Sequence, residues 1–202
     1  MAAERRILDV VVVLAGGGSR RLGHDKLAAR LDGVSVLDRL LAGVRGAAPD
    51  VPVLVVGARR ATSVPVRWVR EEPPGGGPVA GLARALDEVP DEAVLAVLAG
   101  DQPFAGAALP ALLAAWPAQD DGVCAVDDGG RRQPLLALYR AGALRAAVGP
   151  SPVGRSMRSV LAGLALVEVA VPEPLLLDVD TEADLDRARR QVRAEPAPGP
   201  GT

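Results

Sequence analysis

The sequence predicts a three-layer α/β/α sandwich on a mostly parallel sheet, and three observations predict it. Short, nearly continuous apolar runs rich in valine recur along the chain, segments of helical period separate them, and glycine, proline or aspartate marks the changeovers. Strands alternating with helices of this length imply right-handed βαβ crossovers, which place helices on both faces of the sheet. The chain has 202 residues, enough for one compact domain and short for two. Residues 1–194 are therefore read as one domain, and the Pro/Gly segment 195–202 as a disordered tail with nothing to bury. Hydrophobic residues are 49% of the chain and aromatic residues only 2%, so the core has to be built from alanine, valine and leucine.

Taken in order, Ile7 to Leu14 is β-branched and almost wholly apolar until glycines stop it, the pattern of a strand buried on both faces. Val34 to Val44 has helical period, with Leu37, Leu40, Leu41 and Val44 on one face. Strands follow at Val51 to Gly57 and Val66 to Val69, a helix at Val79 to Leu86, a strand at Ala93 to Ala99 and a helix at Leu109 to Trp116. The strand Gly122 to Val126 leads into the turn signal Asp127-Asp-Gly-Gly130 and a further apolar run, Leu135 to Tyr139. That pairing predicts one antiparallel excursion within the parallel sheet. Helices at Ala141 to Val148, Ser156 to Leu164 and Glu182 to Val192 enclose a last strand, Leu166 to Val171.

Composition narrows the function. A net charge of −2 removes the electrostatic reason to expect a sequence-independent grip on nucleic acid, so any phosphate binding has to be local. The single cysteine, Cys124, cannot close an intramolecular disulfide, no zinc-ligand cluster accompanies it, and a reducing cytoplasm fits best. The apolar run at the N-terminus is too short for a signal peptide or a membrane span, so no membrane partner is expected.

In open α/β sheets ligands bind beyond the carboxyl ends of the strands, so the loops after the apolar runs carry the chemistry. The first reads Leu14-Ala-Gly-Gly-Gly-Ser-Arg-Arg-Leu-Gly-His-Asp-Lys-Leu27. Its glycines let backbone approach an anion, while Arg20, Arg21 and Lys26 bring positive charge. It is not a Walker loop, because His24 and Asp25 stand where Lys and Ser/Thr would be needed. Nor is it a dinucleotide fingerprint, because Arg21 takes the place of the third glycine. The stretch does closely resemble the signature of the nucleotidyltransferases that activate sugars and cofactors, in particular the molybdenum cofactor guanylyltransferases, a Rossmann-like family. The resemblance continues through Pro74-Gly-Gly-Gly-Pro-Val-Ala-Gly-Leu82, Leu98-Ala-Gly-Asp-Gln-Pro-Phe104, Arg131-Arg-Gln-Pro-Leu-Leu-Ala-Leu-Tyr-Arg140 and Leu177-Asp-Val-Asp-Thr-Glu-Ala-Asp-Leu185, covering nearly the whole chain. The last motif departs from the family pattern, since Asp178 and Asp180 replace asparagines and Glu182 a proline. Aspartates there also occur in relatives that transfer cytidylyl groups.

The resemblance implies attack by the terminal phosphate of molybdopterin on the α-phosphorus of GTP, releasing pyrophosphate and forming the guanine dinucleotide. A phosphate monoester, with its second pKa at ~6, is already mostly dianionic at neutral pH, so no general base is needed and catalysis rests on positioning and charge. By the same resemblance Lys26 and Arg20 serve the triphosphate. Asp101, at a strand's carboxyl end, holds Mg²⁺. Leu14, Ala15, Gly16 and Gly17 contact guanine and ribose through backbone groups, Gly77 and Gly81 let a helix crowd the base, and Glu71 or Glu72, by preference Glu72, is an acidic nucleotide contact. Arg132, Gln133, Asp178 and Asp180 are placed toward the acceptor, with Asp180 also a possible second metal ligand. Plainer readings stand beside these: a turn before Pro103 for Asp101, a hairpin for Arg132 and Gln133, and a capping box in Thr181-Glu-Ala-Asp184 for the segment around Asp180. Cys124 reads as a small buried hydrophobe. Hand-over from and to other molybdenum enzymes is implied by so reactive an acceptor. The alternatives are a cytidylyl- or guanylyltransferase with a different phosphorylated acceptor, or a non-catalytic nucleotide-binding regulator.

Overall fold

The computed structural model describes residues 7–16, 25–72 and 74–194. Its elements run β1 (Val10–Leu14), β2 (Arg30–Leu31), β3 (Val34–Ser35), α1 (Val36–Ala47), β4 (Val53–Val56), β5 (Arg67–Val69), α2 (Pro78–Leu86) and β6 (Val94–Ala99). Then come α3 (Leu109–Ala114), β7 (Gly122–Val126), β8 (Arg132–Arg140), α4 (Ala141–Val148), α5 (Met157–Leu161), β9 (Leu166–Ala170) and α6 (Glu182–Ala194), with single 3₁₀ turns at Ala105–Ala108 and Glu173–Leu176.

Seven strands form one sheet in the order β5-β4-β1-β6-β8-β7-β9. Every pairing is parallel except the two made by β8, which runs antiparallel to both β6 and β7. The excursion expected after Asp127 is therefore this strand. Its turn is made by Asp127 Oδ1, which accepts from the backbone N–H groups of Gly129 and Arg131 at 3.0 and 2.9 Å, with Gly130 at φ +72°. The valines of β1 explain why it lies centrally. Val11 and Val13 enter one core with α1, α3 and α6, while Val12 enters the other with α2, α4 and α5. A strand with both faces buried needs apolar side chains at every position, and this one has them.

Among the boundaries that differ from the sequence reading, two have a clear physical reason. Val34 and Ser35 belong to a tiny hairpin rather than to the first helix, because Asp32 and Gly33 take φ of +47° and +91° and turn the chain back on Arg30–Leu31. The helix at Leu109 stops at Ala114, short of Trp116 and Pro117, and is preceded by the 3₁₀ turn whose Gly106 crosses the backbone of α1 at Gly43. A Cβ on Gly106 would fall 2.5 Å from Val44 N.

Ser35 caps α1: its hydroxyl accepts from Asp38 N at 3.0 Å and donates to Asp38 Oδ2 at 2.8 Å. Burial pulls the Asp38 carboxyl upward, but hydrogen bonds from Ser63 N–H and the Ser35 and Ser63 hydroxyls outweigh it and hold the group below its usual 3.8. The stability Asp38 contributes is thus present above that value and lost as pH falls through the lowered one. Urea denaturation at about pH 6 and about pH 3 checks this, Asp38→Asn being expected to show a smaller drop between them than the parent chain. Ser35→Ala should cost about 1 kcal/mol at neutral pH.

Candidate active site

The carboxyl edge of the sheet is set by how β1 leaves it. Ala15 N donates to Val56 O at 2.8 Å and Gly100 N to Leu14 O at 2.9 Å, so the ends of both neighbouring strands grip the exit of β1. Glycine is required on one side and favoured on the other: a Cβ on Gly57 (φ +149°) would clash at 2.7 Å from Ala15 O, and one on Gly100 would lie tightly at 3.1 Å from Leu14 O. At Gly81, in the first turn of α2, a Cβ would make ordinary van der Waals contact with the side chains of Leu14 and Val56, at 3.7 and 3.5 Å. Gly77 takes φ +90° just before that helix, which then starts on Pro78 at its first position.

On this edge three distant segments meet. Lys26 follows the glycine-rich loop, Asp101 follows β6, and Asp180 precedes α6. Lys26 Nζ donates to Asp101 Oδ2 at 2.5 Å and to Asp180 Oδ1 at 2.7 Å. Val179 N, hydrogen bonded to Asp101 O at 3.0 Å, ties the two acidic segments together. Lys26 keeps only 15% of its side-chain surface exposed. That burial works against its charge, yet the hydrogen bonds to Asp101 and Asp180 more than compensate and raise its pKa above 10.5, so the ammonium is charged throughout the neutral range. Asp178 stands close by. Partial desolvation, the charge of Asp101 and that of Asp180 push its carboxyl up to about 6, against a hydrogen bond with buried Gln102 and the attraction of Lys26. The capping reading of Thr181 also holds, since its hydroxyl accepts from Asp184 N at 3.2 Å and donates to Asp184 Oδ2 at 2.7 Å. The cap fixes the helix start and thereby aims Asp180.

Of the two candidate acids after β5, Glu71 is half-buried at the site and Glu72 is exposed. Glu71 Oε1 accepts from Gly75 N at 3.1 Å and lies 3.7 Å from where a Cβ on Gly16 would be. Its Oε2 is buried without a hydrogen-bond partner. The intervening turn, not any periodicity, decides which of the adjacent acids points in. Arg132 and Gln133 stand at the same edge but are engaged elsewhere: Arg132 Nε pairs with Glu168 Oε1 at 2.7 Å and Gln133 Nε2 reaches Asp127 Oδ2 at 3.3 Å. Gly17, Arg20, Arg21 and His24 lie outside the described residues, as does the tail 195–202.

One further mark of the site is legible in the sequence and a second is not. Lys26 is the only lysine in a chain with 23 basic residues, a chain that otherwise takes arginine everywhere. Arg60, paired with Asp25 at 2.6 Å beside the site, carries no motif at all. Cys124 is fully buried and burial pushes its thiol up to about 11, so it packs rather than reacts. A cavity of about 650 Å³, lined by Asp9, Arg67, Glu88 and Trp116 among others, opens at the opposite, amino edge, where β1 begins. Ligands of such sheets bind at the carboxyl edge, so the Lys26 centre is the candidate site. Among the described residues no helix is long and apolar enough to cross a membrane.

The sequence and fold of this chain match known proteins. A family model described as the MobA-like NTP transferase domain matches residues 11–169. A protein of Chloroflexus aggregans named "Probable molybdenum cofactor guanylyltransferase" is 36% identical over 138 residues, 66% of each chain. A protein of Opitutus terrae with the same name is 35% identical over 175 residues, 80% of this chain and 83% of its own. The crystal structure of molybdopterin-guanine dinucleotide biosynthesis protein A from Archaeoglobus fulgidus superposes with a TM-score of 0.70 at 22% identity, over 92% of this chain and all of that one. With most of the sheet and the glycine-rich exit of β1 inside the matched segment, the chain belongs to the MobA-like NTP transferase domain family.

Proposed function

We propose that this protein transfers GMP from GTP to the terminal phosphate of molybdopterin, releasing pyrophosphate and forming molybdopterin guanine dinucleotide, in the cytoplasm and with Mg²⁺. The observation that carries the reading is the Lys26 ammonium, held by Asp101 and Asp180 beside the glycine-lined exit of β1. The names borne by the Chloroflexus and Opitutus relatives support the same reaction. An oxygen of the acceptor phosphate forms a bond to the α-phosphorus as the bond to the β-phosphate bridging oxygen breaks, and no side chain has to remove a proton. The chain's own part is to gather and offset negative charge. Lys26 meets the triphosphate as a compact charge, the exposed backbone of Gly16 lies along it, and the start of α2 bounds the base.

Among the described residues no three or more His, Cys, Asp or Glu side chains form a metal-holding group. Two carboxylate oxygens do converge on one cationic atom, and such hard oxygen donors suit Mg²⁺, which completes its shell with water and phosphate oxygens. Asp101, with Asp180, would hold the ion, which supplies charge neutralisation on the phosphates.

Glu71 supports guanine as the base, because a carboxylate with a free buried oxygen suits two adjacent N–H donors. Glu71→Ala is expected to raise KM for GTP by ~10–100-fold with little change in kcat, the size of a lost charged hydrogen-bond pair. The deciding experiment incubates the protein with GTP, Mg²⁺ and molybdopterin and detects the dinucleotide by mass, beside calorimetric titrations with GTP and CTP. Tighter CTP binding would overturn the guanylyl assignment, and no product from either nucleotide would overturn transfer itself.

A further inference from the structure

We propose that Arg60 is a positioning residue that sets Lys26 in place by clasping Asp25, an inference that rests on Lys26 serving the transferring phosphates. The clasp is two-pronged: Arg60 Nε donates to Asp25 Oδ2 at 2.6 Å and a terminal guanidinium nitrogen to Asp25 Oδ1 at 3.2 Å. The other terminal nitrogen donates at 2.8 Å to Ala58 O, in the loop directly after β4. Asp25 in turn holds the turn that carries Lys26, its Oδ1 accepting from Leu27 N at 3.1 Å and its carbonyl from Ala28 N at 3.1 Å. Leu27 is buried in the core and its carbonyl accepts from Leu37 N at 3.1 Å. Lys26 is therefore fixed from both sides, by a core anchor at Leu27 and by the clasp at Asp25.

Two arguments make this a matter of reaction geometry. The pair is half exposed, with 41% of the Asp25 side chain accessible, and exposed ion pairs contribute little to folding. Displacing a charge that must meet a phosphate, in contrast, slows reaction steeply. Asp25 is also a carboxylate one residue from Lys26. Burial raises its pKa, but the Arg60 hydrogen bond and charge and the Leu27 and Ala28 amides hold it below 3.8, so it is ionised. Arg60 answers that charge and leaves the Lys26 ammonium to Asp101 and Asp180. A lysine at position 60 has no planar fork with which to do the same.

The test compares the parent chain with Arg60→Gln, Asp25→Asn and the double variant. Because Lys26 is the only lysine, its acylation by an amine-directed reagent can be followed by peptide mass spectrometry without assay of transfer. Arg60→Gln is expected to label Lys26 several-fold faster, with melting temperature nearly unchanged. It is also expected to lower kcat by ~10-fold or more while KM for GTP moves little. Asp25→Asn should reproduce both effects and the double variant should be no worse than either single. Unchanged labelling together with parental kcat overturns the clasp, as does a rise in KM for GTP alone, which would put Arg60 on the nucleotide. A parent chain that forms no product overturns the reading of the reaction, while the labelling comparison still decides the clasp.

Discussion

Asp101→Asn is expected to lower the rate of pyrophosphate release by ~10²–10³-fold or more while the protein stays folded. The substitution keeps the shape of the side chain and leaves the backbone bond from Val179 N to Asp101 O intact. What it removes is one of the two negative oxygens that face Lys26, and with it the principal donor proposed for Mg²⁺. Steady-state product formation and thermal melting, measured on the same preparation, separate the loss of chemistry from loss of fold. Near-parental turnover in saturating Mg²⁺ would show that the site has been assigned to the wrong carboxylate.

Lys26→Met should be comparably damaging, with a loss of roughly 3–4 kcal/mol in transition-state stabilisation, as when one preorganised charge donor is deleted. It also leaves Asp101, Asp178 and Asp180 without the Lys26 charge among them, and the Asp178 carboxyl, already pushed up to about 6, loses that attraction. The variant is therefore expected to melt lower than the parent at neutral pH and to recover part of the difference in mildly acid buffer. Lys26→Arg should restore the melting temperature better than the activity, because a planar guanidinium can pair with the aspartates without occupying the place of a compact ammonium. An arginine variant with parental kcat/KM would refute the view that this position needs a point charge.

Much of the architecture was legible because β-branched runs ending in glycine admit few structures other than buried parallel strands. The Asp127–Gly130 turn signal likewise announced β8 and its reversed direction. The small hairpin was not, because Val34 falls in phase with Leu37 and Leu41 and so reads as the first turn of their helix. The Asp32-Gly33 dipeptide held the contrary signal, which two-residue strands were too short to reinforce. At the site, Lys26 and Asp101 could be named from their motifs. Asp180 could be placed beside the metal only through the resemblance, and its pairing with Lys26, which spans 154 residues, rests on the backbone bond at Val179 together with the Thr181 cap, neither of which the motifs spell out. The choice between Glu71 and Glu72 turned on which carboxylate Gly75 N captures, something neither composition nor period encodes. Arg60 had no sequence signal, as its role comes only from the loop after β4 folding back on Asp25.

The way Gly57 and Gly100 crowd the end of β1 has a thermodynamic corollary. With backbone against backbone on both flanks, Ala15 and Gly16 have no slack to adjust to an incoming guest, so the entropy of shaping that cradle is settled during folding. On the proposed reading, recognition along this wall is rigid, and the accommodation binding demands falls to the opposite bank of the cleft.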